Sequence, residues 1–581
     1  MLILYGSETG TAQDVAEGIW RTSKRYGFTG TVQPMDDYDI TKLIYEPLII
    51  FVCSTTGQGD PPENMRKFWR FLLRKSLPRN SLSNSWVAVL GLGDSSYAKF
   101  NFAAKKLSKR LASLGAKLLL ETGLCDDQHD LGLYAELVPW TEKLWNTLQP
   151  LYPLLNLTKR SEDDSLLLKW ETVPRDSNPV ELSFLPGEPN ERYWCEVSSN
   201  VRVTDKNHFQ EVRLITFTPD NNSIKYSPGA VAYVRPTNQL SSVEKLISII
   251  GEQCPEVFEL KSVNMSLPEI FQGKALSLKD VATVYWDLNA VPRRYVFEVL
   301  ASVTTSELEK DKLEEFLTPS GLDEMYSYCN RPKRTTVEVL EDFPVAASNL
   351  QLDHLFEIFQ PIRARAYSIA SSIEYDGPVI KLLVAIVQYK TRLSVPRQGL
   401  ASTWLSTVAG RVCVAVKPPS LKFPERGSVI MVGPGTGIAP FRSFISKRIM
   451  QVHHGEGDSP KEWLVVIFGS RYRNADFHFG NEFEKWEMAN DITLITAFSR
   501  DQPEKIYVQH KIVSERNFLF QRIHSDECFI FVAGSSNNMP AAVRNAFIEV
   551  IATEGDFTEE EAKTYVEKME ASGRYQEETW S

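Results

Sequence analysis

A serine, a guanidinium, an ammonium and a phenol fall within eleven residues in the run Ser499-Arg500-Asp-Gln-Pro-Glu-Lys505-Ile506-Tyr507-Val508-Gln509. Hydroxyl and cationic donors grouped this closely suit a phosphate monoester on a ribose, which is held by charge-assisted hydrogen bonds. The expected ligand is a phosphorylated dinucleotide, NADPH rather than NADH. Alone, the run also reads as a polar strand-to-helix loop with solvated charges, and the other motifs decide between the two.

At the amino terminus Ser7-Glu8-Thr9-Gly10-Thr11-Ala12 brings three hydroxyls and successive backbone N–H groups to the start of a helix, without Lys or Arg. Such a turn is a ready anion site, better matched to one phosphate monoester than to a nucleotide triphosphate, although a helix N-cap box reads the same way. Two more loops, Ser54-Thr55-Thr56-Gly57 and Leu92-Gly93-Asp94-Ser95-Ser96-Tyr97-Ala98-Lys99-Phe100-Asn101, combine glycines that admit a flat ring with a tyrosine that can stack on it. In Arg365-Ala366-Tyr367-Ser368 a strand puts Arg365 and Tyr367 on one face, with Ser368 on the other or at the strand end. The arginine can neutralise a pyrophosphate and the tyrosine can stack on a flavin; a cross-strand Arg–Tyr pair is the structural alternative. Gly399-Leu400-Ala401-Ser402-Thr403 opens a helix, and Gly433-Pro-Gly435-Thr436-Gly437 is a glycine turn after a strand, with Thr436 expected to face the NADPH pyrophosphate.

The elements that must position these residues fall into three folded parts. Strand-like runs at Leu2–Tyr5, Pro47–Cys53 and Val87–Leu90, each followed by a polar loop and a helical pattern, predict a doubly wound parallel sheet over 1–147. Ligands bind such sheets outside the carboxyl ends of the strands, so the three loops converge on one crevice. Residues 148–190, rich in Pro, Asp, Glu and Ser, read as a hinge or linker. Short alternating strands from Tyr193 predict a small antiparallel barrel within 191–424, interrupted by a helical insertion at about 241–340. Over 425–581, strands beginning at Val429, Trp463, Ile492 and Cys528 predict an α/β nucleotide-binding domain.

The three amino-terminal loops resemble those of a flavodoxin-like FMN domain. The Arg365–Ser368 motif with Gly399–Ser402 resembles the FAD barrel of ferredoxin-NADP reductase-type proteins. In their full order the motifs resemble the diflavin reductase family, relatives of NADPH-cytochrome P450 reductase. That resemblance implies that Ser7 to Ala12 hold the FMN phosphate, and that Ser54 to Gly57 and Leu92 to Asn101 wrap the isoalloxazine with Asp127 nearby. It further implies that Ser368 lies near flavin N5 and that Gly399, Leu400, Ala401 and Ser402 meet the FAD pyrophosphate. Trp580 would cover the FAD ring and move aside for nicotinamide. Ser368, Glu578 and Trp580 thereby become the catalytic candidates. Three departures stand out: Thr56 replaces an aromatic, while Ala533 and Glu578 stand where relatives carry Cys and Asp. Thr56, Tyr97-Ala-Lys-Phe-Asn and Asp-Asp-Gln-His match the branch serving cytosolic iron-sulfur protein assembly. The implied acceptor is then a soluble, anamorsin-type iron-sulfur protein. A reductase for P450 or methionine synthase, or a flavin-bearing scaffold that binds partners, remain alternatives.

Composition narrows the classes. A chain of 581 residues is too long for one core. A net charge of −10 disfavours nucleic acid in the absence of a local basic patch. Seven cysteines are scattered singly with no Cys-x-x-Cys pair, so neither a zinc nor an iron-sulfur ligand set is expected. With no apolar run near the ~20 residues that span a bilayer and no leader pattern, the expectation is a protein without a membrane anchor in the cytoplasm.

Overall fold

Leu2–Gly6 and Leu48–Ser54 are apolar along almost their whole length and buried at nearly every position, as strands covered on both faces must be. The computed structural model describes residues 1–57, 59–97, 99–153, 166–221, 224–251, 254–453, 464–525 and 527–580. Ala98, Trp463 and the middle of the expected linker, 154–165, lie outside them. The chain divides into two units, one made of Met1–Val180, Leu246–Leu276 and Ala290–Gln360, the other of Glu181–Lys245, Ser277–Asn289 and Pro361–Ser581.

In the first unit, parallel strands run in the order Val32–Pro34, Leu2–Gly6, Leu48–Ser54, Trp86–Gly93, Lys117–Leu118, with Gly123–Asp126 also beside Trp86–Gly93. This flavodoxin-like order reverses direction between the first and third strands in sequence, which opens a crevice at their carboxyl ends. Helices Thr11–Arg25 and Tyr134–Leu148 cover one face of the sheet; Arg66–Leu72 and Phe102–Ser113 cover the other.

The rest of this unit is mainly helical and extends past the expected limit of 340 through Leu352–Ile358. Within 148–190, Trp170–Pro174 pairs antiparallel with Val257–Ser262, and Trp170 packs edge-on against Phe271 and Phe356. That stretch of the expected linker is anchored by an aromatic core. Helix Thr11–Arg25 meets the helical segment through charge: Arg21, 3% exposed, pairs with Glu357 at 3.2 Å and Glu17 at 3.5 Å and lies 3.7 Å over the Tyr295 ring.

In the second unit, six antiparallel strands run in the order Arg365–Ser368, Val231–Val234, Arg411–Lys417, Arg192–Arg202, Val212–Pro219, Ile380–Ala385. A bridge between Ile369 and Leu382 joins the two ends, so the sheet nearly closes into a barrel around Ile215, Phe217, Val234 and Leu405. The carboxy-terminal sheet is parallel, in the order Thr493–Phe498, Leu464–Ser470, Ser428–Val432, Cys528–Ser535, Tyr575–Trp580. Its fifth strand is the chain end itself. That strand begins at buried Tyr575, and its register pairs Ala533 with Glu578 and Ser535 with Trp580. Among the described residues no helix is long and apolar enough to cross a membrane.

Candidate functional site

The first loop leaves strand Leu2–Gly6 at the crevice and turns through Gly10, whose φ of 102° suits glycine, into helix Thr11–Arg25. Ser7 Oγ accepts from Gly10 N at 3.0 Å, Ser7 N donates to Asn64 Oδ1 at 2.8 Å, and Glu8 Oε2 accepts from Glu63 N at 3.2 Å. Ser7 and Glu8 therefore shape the loop. Exposed Thr9 and Thr11 and the helix's first-turn amides, which no side chain caps, are what it offers an anion.

In the second loop Thr56 N donates to Asp60 O at 2.9 Å and Asp60 N returns to Thr56 O at 2.8 Å, closing a tight turn through Gly57 at φ 45°. The Thr55 hydroxyl accepts from Ala103 N at 3.2 Å and Ser54 Oγ donates to Gly6 O at 3.4 Å, so both brace neighbouring elements. In the third loop Asp94 accepts from Ser96 N at 2.8 Å, Asp126 accepts from Ser95 N at 2.9 Å, and Asp127 N donates to Gly93 O at 2.9 Å. Leu92 is buried, and half-buried Gly93, Tyr97, Lys99 and Phe100 line the loop. Asn101, expected to wrap the isoalloxazine, is fully buried behind the loop. Its Nδ2 donates to Cys125 O at 3.0 Å, and its side chain fills the space that a Cβ at Gly91 or Gly93 would enter, at 2.7 and 2.9 Å. Asp127 keeps solvent access; partial desolvation and then Asp94 and Asp126 raise its carboxyl above the ordinary range, against the pull of Lys333.

Arg365–Ser368 pairs with Val231–Val234, which turns Tyr367 toward the barrel core and leaves Ala366 exposed on the opposite face. Burial pushes the Tyr367 phenol up to about 12. Arg365 Nη1 donates to Arg363 O at 3.0 Å, and its guanidinium lies 3.9 Å from Asp287. Ser368 Oγ donates to Glu578 Oε2 at 3.3 Å, while Ser420 Oγ donates to Glu578 Oε1 at 2.5 Å. Burial raises the Glu578 carboxyl despite these two hydrogen bonds. Fully buried Ala533 stands in register with Glu578, so the expected group of Ser368, Ala533 and Glu578 is assembled. Trp580, 37% exposed, follows Glu578 by two residues and therefore leaves the strand on the face that Glu578 turns to Ser368.

Gly399 precedes helix Leu400–Thr407, in which Leu400 is half-buried and Ala401 buried. The buried Ser402 hydroxyl accepts from Val387 N at 3.0 Å and donates to Gly399 O at 3.2 Å, so it braces the turn. The next hydroxyl, of Thr403, is buried without a hydrogen-bond partner. A buried unmet hydroxyl beside free first-turn amides fits a pyrophosphate.

In the nucleotide domain, a Cβ on Gly437 would fall 2.0 Å from Ala533 O, and Gly435 has φ 58°; this close turn leaves half-buried Thr436 at its rim. Ser499 N donates to Ser470 O and Arg500 N to Arg471 O, both at 2.9 Å. Two Ser-Arg pairs thus lie side by side at the ends of adjacent parallel strands. Burial, then the neighbouring Arg500, lowers the Arg471 guanidinium, which stacks 3.6 Å over the Phe209 ring. The Ser470 hydroxyl is buried with no partner. Crowded cations beside an unmet buried hydroxyl fit a phosphate dianion. Arg500, Lys505 and Tyr507 are exposed, Gln509 is half-buried and Ser499 is buried. Val508, expected at the ligand, is 3% exposed in the core with Ile506 packed against it, so this pair holds the loop from below. Ser470 and Arg471 were not among the expected ligand residues; the repeated Ser-Arg after two successive strands was the signal for them.

Residues 3–140 match the flavodoxin family, 186–404 the FAD binding domain family and 431–545 the oxidoreductase NAD-binding domain family. Curated relatives match along the whole chain: NADPH-dependent diflavin oxidoreductase 1 of Danio rerio is 42% identical, covering 100% of this chain and 99% of the relative. The proteins of the same name from Cryptococcus neoformans and Arabidopsis thaliana are each 34% identical, over 100% of this chain and 100% and 99% of the relative. With two flavin-type domains and a nucleotide domain in this order and likeness running end to end, the chain belongs to the NADPH-dependent diflavin oxidoreductase family.

Proposed function

We propose that this NADPH-dependent oxidoreductase delivers single electrons to a soluble iron-sulfur protein of the anamorsin type, in cytosolic iron-sulfur cluster assembly. The full-length likeness to the diflavin oxidoreductase 1 proteins supports the oxidoreductase part, and the acceptor is read from the resemblance carried by Thr56, Tyr97 to Asn101 and Asp126 to His129. Bound FAD and FMN supply the conversion of a two-electron hydride donor into a one-electron source.

The observation that carries the enzymatic part is the hydrogen-bonded group Ser368–Glu578–Ser420, with Trp580 on the same face of the last strand. In this reading Ser470, Arg471, Ser499, Arg500, Lys505 and Tyr507 grip the ribose phosphate of NADPH and Thr436 meets its pyrophosphate. Arg365, the first-turn amides at Gly399–Ser402 and the Thr403 hydroxyl hold the FAD pyrophosphate. Glu578 orients the Ser368 hydroxyl; Tyr367 would offer FAD a stacking face, and Trp580 would have to move aside for nicotinamide. Thr9, Thr11 and the first-turn amides would hold the FMN phosphate, and Tyr97 would be the residue available to its ring.

The test is anaerobic mixing of the holoenzyme, NADPH and an oxidised [2Fe–2S] anamorsin-type protein. Bleaching of the cluster absorbance is expected. Flavin reduction by NADPH with an unbleached cluster, alongside rapid reduction of a P450 or methionine synthase, would overturn the acceptor assignment.

A further inference from the structure

From Asn64 to Gly93 the chain carries six cations, Arg66, Lys67, Arg70, Arg74, Lys75 and Arg79, and no carboxylate, although its net charge is −10. No ion pair engages any of the six among the described residues, and all six are exposed. Three of them, Lys67, Arg70 and Arg74, line a groove of about 440 Å³ whose apolar walls include Phe71, Tyr38 and Ile40. The groove's one carboxylate, Asp36, accepts from Lys67 N at 3.0 Å and Phe68 N at 2.8 Å, so it is spent on capping the helix. Arg110 fixes the other end of that helix by donating to Leu72 O at 2.6 Å and Arg74 O at 3.1 Å. The cations therefore project from a clamped element.

The helix that forms one wall of the groove is tied at its start to the candidate FMN loop. Helix Arg66–Leu72 begins directly after Glu63–Met65, and that turn is bonded to Ser7 and Glu8 through Asn64 Oδ1 and Glu63 N.

We propose that this groove docks an acidic segment of the electron acceptor, one that seats an aromatic or aliphatic side chain between Phe71 and Ile40 and sets carboxylates against Lys67, Arg70 and Arg74. The inference rests on the reading that electrons leave from the flavodoxin-like part. Charge complementarity selects the occupant: cations outside any ion pair attract an acidic partner, and two such patches brought face to face repel. A concave apolar floor suits an inserted side chain better than a lipid surface.

The test uses the full-length holoenzyme and a fluorescent twelve-residue peptide of Asp and Glu around a central Trp-Leu, with a Lys/Arg counterpart as control. Saturable anisotropy is expected for the acidic peptide only, weakening as salt rises. The triple variant Lys67→Glu, Arg70→Glu, Arg74→Glu should lose at least tenfold in affinity while NADPH-dependent ferricyanide reduction stays unchanged, which separates this inference from the catalytic reading. Equal binding by the variant, equal binding of the basic peptide, or absence of peptide binding would overturn it. So would cation-dependent sedimentation with anionic phospholipid vesicles in place of peptide binding, or a concentration-dependent dimer that the triple variant abolishes.

Discussion

Replacing Arg500 by alanine isolates the contribution of one guanidinium to coenzyme choice. Its side chain is exposed and faces the like charge of Arg471, so truncation leaves no buried group unmet and the melting temperature should not move. A charge-assisted hydrogen bond contributes ~1.5–3 kcal/mol, which is roughly tenfold to a hundredfold in kcat/KM for NADPH. The loss should fall on KM with kcat retained, because a phosphate remote from the reacting carbon is held equally in ground and transition states. NADH, lacking that phosphate, should be unaffected. Ser470→Ala gives an opposite-sign companion. Removing a buried hydroxyl that has no partner should leave the ligand-free protein as stable or more stable, while NADPH binding weakens by roughly twofold to tenfold. Steady-state ferricyanide reduction with both coenzymes, beside thermal melts, reads all of this. An unchanged NADPH-to-NADH ratio in Arg500→Ala, or equal losses for both, would refute the placement of the phosphate.

Three other outcomes are expected. Because burial raises the Glu578 carboxyl in the folded protein, its neutral form is favoured there, and its contribution to stability is complete below the ordinary carboxylate value and lost as pH rises from there through the raised folded value. Glu578→Gln should match the parent near pH 4 and melt progressively higher than it toward pH 7; a difference that does not vary with pH would contradict this. Glu357→Ala strips a buried partner from Arg21 and should cost about 3–5 kcal/mol in urea unfolding of the first unit, whereas the double variant Arg21→Met, Glu357→Leu should recover much of that. Gly437→Ala drives a Cβ into the Ala533 carbonyl, backbone against backbone, and should weaken NADPH binding and lower the melting temperature together.

How much of this was legible in the sequence depended on distance along the chain. The parallel strands and their ligand loops were readable because each strand, turn and helix start is contiguous, as in Leu2–Gly6 followed by Thr11–Arg25. The Ser368, Ala533 and Glu578 group was readable only through family likeness, since a strand register and a hydrogen bond between distant segments bring it together. Motif reading could not separate residues that face a ligand from those that support it. Asn101 and Val508 sit within ligand motifs yet are buried, one filling the space beside two glycines and the other closing the core under its loop. Strand Trp170–Pro174 was hidden in polar surroundings because its partner, Val257–Ser262, lies far along the chain. Arg471 stood outside the expected phosphate site because the repeated Ser-Arg is brought beside Arg500 only once two strands align.

In the proposed function electrons enter at the carboxy-terminal nucleotide site and leave from the flavodoxin-like part. The most direct measurement is to strip FMN selectively from the holoenzyme, then follow NADPH-driven reduction of ferricyanide and of a [2Fe–2S] acceptor in parallel. Ferricyanide reduction should persist, acceptor reduction should be lost, and added FMN should restore it. Undiminished acceptor reduction by the FMN-free protein would contradict that route.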